Sequence, residues 1–448
     1  MSNLLSIGAT GVRAYQTALT TVSENIANAG AAGYSRRTAT VGEIVSSASA
    51  NATMSGSLSG YGVRVTGIDR QSDAFRVAET RFTGAELARS NASVEWLERI
   101  ESALTGYDMP GRMTGFYASA ATLAADPGSG APRAAMVEAA TALASSIQGT
   151  HSTLTGSMAD LDGTVQANVG QLNDLSQQVA KTNVALGRVG PGTAAQAQLF
   201  DERDRLLGAM SQLTDIDVQI DDRGLATIRA GGSTGPVLVE LAETGFVRAS
   251  RSGGALGFTV ERAGSFDTMH PRGGALSGMV EGAQRIGDAI DALNVMARDL
   301  ADGVNAIQAG GDDLDGNPGA AMFAMGADAS DFRMVLTGPR AIAAAAPGAG
   351  VRDNGNLAAL ENFRQSSALE DRATGLAVGN ATTLAGRRSV ATAQAAIHDN
   401  AVGARDTVSG VNLDEEAVDL IRFQQAYNAS SRIIQVARET FQSILDAS

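Results

Sequence analysis

"NLDEEAVDLIRFQQAYNASSRIIQVARETFQSIL" (residues 412–445) carries a large apolar residue at every seventh position. The five positions are Leu413, Leu420, Tyr427, Ile434 and Phe441. Such spacing predicts one long helix whose apolar seam packs against another helix, as in a coiled coil. The second seam set is mostly polar, so the stripe is narrower than that of an autonomous coiled coil: Ala417, Gln424, Ser431, Arg438 and Leu445. Asn412 is predicted to cap the helix, ahead of three acidic residues that suit its first turn.

The other end of the chain has the same kind of repeat. One seam set falls seven residues apart at Leu5, Val12, Leu19 and Ile26, and Gly8, Tyr15 and Val22 fill the alternate positions. Asn28 and Gly30 predict the end of this helix. Both ends are therefore predicted to be helices with an apolar stripe that no local segment buries. The stripes either pair with each other and with further copies, or are buried inside a monomeric bundle.

Most of the chain between these ends also has helical periodicity. The predicted helical segments are a short one at 93–104 (SVEWLERIESAL), then 161–186, 199–213, 279–307 and a glycine-interrupted one at 374–406. From Ile216 onward the period changes to two, with turn signals at 222–224 and 231–236, which predicts a small antiparallel β domain. A β-like piece at 331–338 extends that domain or stands apart, and 46–63 is predicted to be a long polar loop or hairpin.

These patterns predict a mainly α protein with a smaller β domain. Its terminal helices form a coiled coil, its body is an elongated helical bundle, and the antiparallel β domain is inserted in mid-chain. The predicted boundaries are 1–45 for the N-terminal coiled-coil and loop region, 46–213 and 276–404 for the two parts of the helical body, 214–275 for the β domain and 405–448 for the C-terminal coiled-coil helix.

Composition argues against several classes of function. Net charge is −14 over 448 residues, which disfavours nucleic acid and anionic membrane surfaces as partners. The chain has no cysteine, so disulfides and cysteine-ligated metals are excluded. No stretch approaches the roughly 20 apolar residues of a membrane span, so membrane insertion is not expected. No basic segment precedes Leu4, so an ordinary cleaved signal peptide is not expected either.

Two motifs and the three histidines are the candidate sites of chemistry, and none has the residues or the context that its chemistry needs. "GGSTG" (231–235) matches the nucleophile-elbow pattern of esterases around Ser233, but apolar strand-like residues follow it where the elbow needs a helix. "DDLDGNPG" (312–319) is similar to a calcium loop but has Ala324 where that loop needs a carboxylate. The three histidines lie far apart in the sequence. We therefore expect no catalytic residues, cofactor or metal.

Both termini resemble the axial proteins of the bacterial flagellum. The resemblance rests on two segments, "NIANAGAAGYSRR" (25–37) and "SGVNLDEEAVDLIRFQQAYNASSRII" (409–434). Within these motifs, the Tyr-Ser-Arg after Gly33 and the "NLDEEA" and "QQAY" wording look most like the hook-associated proteins of the hook–filament junction. Two internal blocks also look like that family: "LFDERDRLLGAMSQL" (199–213) and "LADGVNAIQAGGDDLDGNPGAAMF" (300–323). The chain departs from that family at 31–33, where Ala-Ala-Gly replaces a proline-containing turn, at Gln308, where the family has histidine, and in its shorter length, which implies a reduced outer region.

The resemblance implies a structural, extracellular subunit of the flagellum that forms the ring joining hook to filament. It implies export by the flagellar type III apparatus without a cleaved signal peptide, and terminal helices that pair on assembly. The implied partners are other copies of the chain, the hook protein, the next hook-associated junction protein and an export chaperone on the C-terminal helix. Tyr34, Arg36 and Arg37 are expected to join the terminal helix to the body and to be available for contacts between subunits.

The sequence leaves three alternatives open. A flagellar hook or rod protein shares the two terminal motifs, although the 201–204 block and the length favour the hook-associated proteins. An esterase-like enzyme would use Ser233. A carbohydrate-binding or adhesive module would need an aromatic cluster in 214–275, which the sequence lacks.

Overall fold

A computed structural model of the chain describes residues 2–31, 33–44 and 62–446. It is mainly helical, with antiparallel strands in mid-chain, which confirms the predicted fold class. The predicted polar loop at 46–63 lies outside the described residues except for its last two positions. The helices are α1 Ser2–Asn28, α2 Ala74–Gly106, α3 Met109–Ala125, α4 Gly130–Leu186, α5 Ala194–Leu213, α6 Gly274–Ala309, α7 Gly355–Ser367, α8 Leu369–Ser409 and α9 Leu413–Asp446.

The strands form small antiparallel sheets. β1 Arg37–Glu43 pairs with β2 Val63–Arg70 close to α1. In mid-chain a four-stranded sheet is followed by a three-stranded one; their strands are β3 Ile216–Ile220, β4 Ala226–Ala230, β5 Val237–Glu240 and β6 Glu243–Thr244, then β7 Phe246–Ser252, β8 Ala255–Arg262 and β9 Ser265–Met269. The β-like piece at 331–338 stands apart, because β11 Arg333–Met334 pairs only with β10 Phe323–Ala324.

Long helices packed side by side build the body, chiefly α2 against α6 and α8, and α4 against α3, α5 and α6. Small residues set the spacing between α2 and α6. A Cβ at Gly278 would lie 2.5 Å from the Arg89 carbonyl oxygen, and one at Gly282 would lie 2.8 Å from Cβ of Trp96. Trp96 is fully buried in this core. Glycine therefore allows the backbones to approach closely where a larger residue would separate them.

Two helices are longer than the periodicity indicates. The segment 93–104 is only the last third of α2, and 161–186 is the second half of the 57-residue α4. Both earlier parts are rich in Ala, Gly, Ser and Thr, which leave little apolar periodicity to detect. Tertiary packing stabilises these stretches as helix because they lie against α6, α3 and α8.

The terminal helices α1 and α9 pack against each other along much of their length. The residues in contact differ from the predicted seam in one of its two sets. On α1, the contact runs through Gly11, Ala18 and Asn25, each one residue before the predicted Val12, Leu19 and Ile26. The seam of α1 runs through Gly8, Gly11, Tyr15, Ala18, Val22 and Asn25, and that of α9 through Glu416, Leu420, Phe423, Tyr427, Ser430, Ile434 and Ala437. Gly8 packs against Ile434 and Gly11 against Ser430, because a Cβ on either glycine would lie within 2.7 Å of the opposite side chain.

Larger apolar residues are displaced to the flank of this seam. Leu5 and Ile26 are exposed, and Val12 and Leu19 are half-buried. In α9, Leu413 and Phe441 are exposed, whereas Leu420 and Ile434 contact α1 and Tyr427 is half-buried. The reason is steric: helices that meet through glycine and alanine approach more closely than leucine side chains at the same positions would permit.

Candidate assembly joint

Two short connections link the terminal helix pair to the body. Residues 29–36 follow α1, and residues 410–412 precede α9. The first contains Gly33, whose φ of +82° is a left-handed value that glycine adopts without strain. The Arg36 amide donates a hydrogen bond of 2.9 Å to the Ser409 carbonyl, so the two connections are tied together. The name "joint" is used below for the polar side chains that meet here: Asn25, Tyr34, Arg36, Arg37, Arg70, Asp201, Asp204 and Glu416.

Asn25 and Glu416 form the centre of the joint. Both lie on the seam of the terminal helix pair and are almost completely buried. The Asn25 side-chain amide donates to Glu416 Oε2 at 2.9 Å and to the Arg37 carbonyl at 2.8 Å. Its oxygen accepts from the Arg37 amide at 3.0 Å and from the Tyr34 hydroxyl at 2.9 Å. Because every polar atom of the Asn25 side chain has a partner, the pair fixes the register of α1 against α9, as buried polar seam residues do in coiled coils.

Arg36 binds the start of α9. Its Nε donates to Glu416 Oε1 at 2.6 Å, and its terminal nitrogens lie 3.0 Å from Glu415 and 3.5 Å from Asp419. The predicted cap is also confirmed, because Asn412 Oδ1 accepts from the Asp414 amide at 3.0 Å. The acidic first turn of α9 therefore stabilises the helix N-terminus and holds an arginine of the first connection.

Arg37 and Arg70 extend the joint to α5. Arg37 lies 2.7 Å from one oxygen of Asp201, and Arg70 lies 2.7 Å from the other. Arg70 also contacts Asp204 at 2.8 Å, and all four side chains are largely buried. Since α5 belongs to the body, these ion pairs bind the end of α1 and the β1–β2 ribbon to it. The 201–204 block supplies both carboxylates.

Tyr34 closes the joint on one side. The Arg37 guanidinium stacks over its ring at 4.8 Å from the centroid, and its hydroxyl donates to Asn25. Burial raises the pKa of the Tyr34 hydroxyl to about 12, since the phenolate would lose hydration and face Glu24, Asp201 and Glu416; Arg37 opposes this only in part. Tyr34 is therefore a neutral hydrogen-bond donor at physiological pH.

The structure brings Tyr34, Arg36 and Arg37 together between α1 and the body, and their role in joining the two stays a prediction. Their polar groups are engaged by side chains of the same chain, so their contacts with other subunits remain a prediction. Sequence reasoning missed Asn25, Arg70, Asp201 and Asp204 as partners. A signal was present for Asn25, because it continues the seven-residue spacing of Gly11 and Ala18 as a polar residue.

Apolar side chains remain exposed along both terminal helices, on surfaces that the α1–α9 seam does not use. On α9 they include Val418 and Val436, which are 67% and 58% exposed. Others are Leu4, Leu5 and Ile26 on α1, and Leu413, Ile421, Phe441 and Ile444 on α9. Leu445, a predicted seam residue, has no described side chain. Single exposed apolar residues are ordinary, but this series follows one helix pair.

The two candidate chemical motifs lie in a turn and a loop. Ser233 lies exposed in the turn between β4 and β5, so its context is strand–turn–strand and not the strand–turn–helix of a nucleophile elbow. Asp313 caps its own loop by accepting from the Asp315 and Asn317 amides at 2.8 Å, and Asp315 pairs with Arg340. In the described part of the chain, no three His, Asp or Glu side chains are arranged to hold a metal. Within the same residues, no helix combines the length and apolarity that crossing a bilayer requires.

Comparison with known proteins places these features in a family. The family model described as "Flagellar hook-associated protein FlgK helical domain" matches residues 97–323, and the one described as "Flagellar basal body rod FlgEFG protein C-terminal" matches residues 406–447. The chain is 28% identical to flagellar hook-associated protein 1 of Salmonella typhimurium over 342 residues, covering 73% of this chain and 60% of that protein. It is 23% identical to flagellar hook-associated protein 1 of Bacillus subtilis over 493 residues, covering 97% and 96% of the two chains.

A solved structure shares the fold. The flagellar hook junction protein FlgK from Burkholderia pseudomallei superposes with a TM-score of 0.50 at 20% identity, over 55% of this chain and 46% of that one. The chain spans about 60% of the length of the Salmonella relatives that it matches.

Proposed function

The chain belongs to the FlgK family of flagellar hook-associated proteins, and we propose that it serves as a structural subunit at the junction between hook and filament. The family is structural and not enzymatic. Its location is the flagellum, and its members assemble into the axial structure. The proposal for this chain adds that several copies form a ring, with the hook protein on one side and the next hook-associated junction protein on the other.

The observation that carries this proposal is the terminal helix pair. It contacts the β1–β2 ribbon, is tied to the body by the ion pairs of the joint, and leaves apolar side chains exposed on both helices. Burying one Val, Leu or Ile side chain contributes roughly 1.5–3 kcal/mol, so a ring that covers several of them on each subunit gains a large driving force. We propose that neighbouring copies cover these residues, among them Leu5, Ile26, Leu413 and Phe441, with Val12 and Leu19 at the edge of the contact.

In this proposal the joint has a mechanical role. A ring closes only if each subunit presents its terminal helices at the same angle to its body. The Asn25–Glu416 pair sets the register of the helix pair, and Arg37 and Arg70 fix it to α5 through Asp201. Tyr34, Arg36 and Arg37 therefore act on assembly by holding the angle, in addition to any contact across the subunit boundary.

Delivery of the subunit completes the proposal. Export would use the flagellar type III apparatus, with the N-terminal segment as an uncleaved signal and a chaperone covering the apolar side of α9 beforehand. Such a chaperone would prevent the exposed Val and Ile side chains from associating inside the cell. The same side chains would then be free to pack against neighbouring copies at the growing tip.

The test is deletion of the gene in the source bacterium, followed by electron microscopy of the cells and an assay of flagellin in the medium. We expect hooks without filaments and free flagellin outside the cells. Complementation with the unchanged gene should restore filaments. The double variant Val418→Asp/Val436→Asp should be exported into the medium but should not restore them. Val351→Asp is the matched control, because Val351 is 53% exposed but lies in a loop of the body.

Two results would count against the proposal. Cells that lack hooks altogether would favour the alternative of a hook or rod protein. The match of residues 406–447 to a rod-protein model is consistent with that alternative. Intact filaments on the deletion strain, in a genome without a second copy, would refute a junction role.

A further inference from the structure

A pocket of about 360 Å³ lies directly beside the joint. The loop at 33–35, helices α2, α5 and α8, and Arg70 form its walls. It is called the joint pocket below. Water occupies roughly 30 Å³ per molecule in the liquid, so the pocket has room for one side chain of a partner together with several waters.

Arg81 of α2 lines the joint pocket and is partly buried there. It makes no hydrogen bond and no ion pair within 4 Å to any residue that the structure describes, unlike the other arginines of the wall. Arg70 contacts Asp201 and Asp204, Arg205 lies 2.6 Å from Glu202, and Arg405 lies 2.6 Å from Asp406. Arg81 is therefore the cation of this pocket whose five donors are unoccupied among the described residues.

The charges behind Arg81 do not neutralise it. Burial lowers the pKa of its guanidinium and Arg203 lowers it further, while Asp204 acts in the opposite direction. The Asp204 carboxylate is already shared, because it lies 2.8 Å from Arg70 and 2.9 Å from Arg203. The wall of the pocket consequently has an excess of positive charge in a chain whose net charge is −14. Partial burial removes some of the hydration of the Arg81 guanidinium, and an anion bound there would replace it.

We propose that the joint pocket is a receptor for a carboxylate group, which Arg81 binds through its guanidinium fork. In the assembled structure, the carboxylate comes from an acidic side chain of a neighbouring copy of this chain. The planar fork of arginine matches a carboxylate with two parallel hydrogen bonds. Acidic residues outnumber basic ones by 48 to 34, so the net charge of a neighbouring copy is complementary to this cationic pocket. That a neighbouring copy supplies the carboxylate rests on the proposed function. That the pocket binds a carboxylate does not.

Consequently, assembly and the joint are coupled. A carboxylate that enters the pocket lies against Tyr34 and Arg70, two members of the joint, and adds a bond between the loop at 33–35 and α2. Its arrival strengthens the connection that holds the terminal helix pair. Each subunit would therefore be stiffened by its neighbour, because a ligand that binds only the closed joint favours that conformation.

Carboxylate binding by the pocket is tested on the isolated full-length chain with disodium glutarate as the probe and sodium chloride at equal ionic strength as the reference. Thermal unfolding over a glutarate titration gives an apparent affinity. We expect glutarate to raise the melting temperature of the unchanged chain and Arg81→Gln to weaken the affinity on the order of 100-fold, the loss expected for a charge-assisted pair. Arg112→Gln is the matched control, since Arg112 is an exposed arginine of α3 without an ion pair to a described residue, and it should bind as the unchanged chain does.

If Arg81→Gln does not fold, Arg81→Lys takes its place, because it keeps the charge and loses the fork; we then expect about tenfold weaker binding. Equal stabilisation by glutarate and chloride would overturn the carboxylate receptor, and so would equal glutarate affinity of the Arg81 variant and the unchanged chain.

The source of the carboxylate is tested in cells that carry Arg81→Gln. We expect the variant to be exported at normal levels and fewer hooks to carry filaments. Normal filaments on these cells, combined with glutarate binding by the unchanged chain, would overturn the claim that a neighbouring copy supplies the carboxylate. The site would then be assigned to a free small carboxylate. Intact filaments on the gene deletion would instead overturn the proposed function and leave the result with glutarate unaffected.

Discussion

Replacing Glu416 by glutamine tests whether the joint holds the terminal helix pair to the body. Glu416 is 1% exposed and accepts from Asn25 Nδ2 at 2.9 Å and from Arg36 Nε at 2.6 Å. Glutamine offers one acceptor where the carboxylate offers two, so one of these donors loses its partner. Asn25 cannot turn its amide to compensate, because its oxygen is bound by the Arg37 amide and the Tyr34 hydroxyl.

The magnitude follows from that single loss. A hydrogen bond to a charged group contributes about 1.5–3 kcal/mol, and Arg36 still has Glu415 at 3.0 Å and Asp419 at 3.5 Å. We therefore expect Glu416→Gln to destabilise the joint by about 2 kcal/mol. At 1.4 kcal/mol per factor of ten, the open state becomes roughly 30-fold more populated.

Hydrogen–deuterium exchange measures this opening at the amides of α1 near Asn25, which should exchange roughly 30-fold faster. Trp96, the single tryptophan, is buried in the body between α2 and α6, so its fluorescence should give an unchanged urea midpoint. Glu415→Gln is the matched control, because Glu415 is 58% exposed and such pairs contribute at most about 1 kcal/mol. Equal exchange rates in the two variants, or a lower Trp96 midpoint in Glu416→Gln, would refute the view that the joint is a local connection.

The remaining predictions concern the body, the ionisation of the joint and the absence of catalysis. Gly278→Ala should lower the free energy of unfolding by about 1–3 kcal/mol, because its Cβ would lie 2.5 Å from the Arg89 carbonyl oxygen. Gly163→Ala, with no atom within 4 Å of the added Cβ, should instead stabilise α4 by up to about 1 kcal/mol, and urea unfolding compares the two. Tyr34 has a pKa of about 12 in the fold against 10 in the unfolded chain, so its contribution to stability is complete below pH 10 and is lost as the pH rises toward 12. Tyr34→Phe should therefore make stability less dependent on pH in that window, and an unchanged profile would contradict the assignment. Ser233→Ala should leave hydrolysis of p-nitrophenyl acetate at the background rate of the unchanged chain, and a Ser233-dependent rate would revive the esterase alternative.

The helices and strands were predictable where large apolar residues recur with a clear period. Leu413, Leu420 and Tyr427 belong to a series of five apolar residues spaced seven apart. Such a series is typical of a long helix that packs against another helix, so it predicts α9. The strands between Ile216 and Met269 follow from alternation and turn signals. The first parts of α2 and α4 were not predictable in this way, since alanine, glycine, serine and threonine suit several conformations.

The joint was predictable only in part. Tyr34, Arg36 and Arg37 stood out because a tyrosine and two arginines directly follow a helix-ending Gly–Ala segment. Their partners Asp201 and Glu416 lie 164 and 380 residues away along the chain. No local pattern relates such distant charges, so only the folded chain identifies Arg37–Asp201 and Arg36–Glu416 as pairs.

By itself, the sequence determined that both ends of this protein are long helices with heptad repeats, because a period of seven is a property of neighbouring residues. Only the tertiary structure decided which faces meet. Leu5 and Ile26 satisfy the heptad as well as Gly11 and Asn25 do, and the choice between them depends on how closely α1 can approach Ser430 and Ile434 of α9. Close approach favours glycine and alanine at the seam, and it leaves the larger apolar side chains on the flanks, where neighbouring subunits are proposed to cover them.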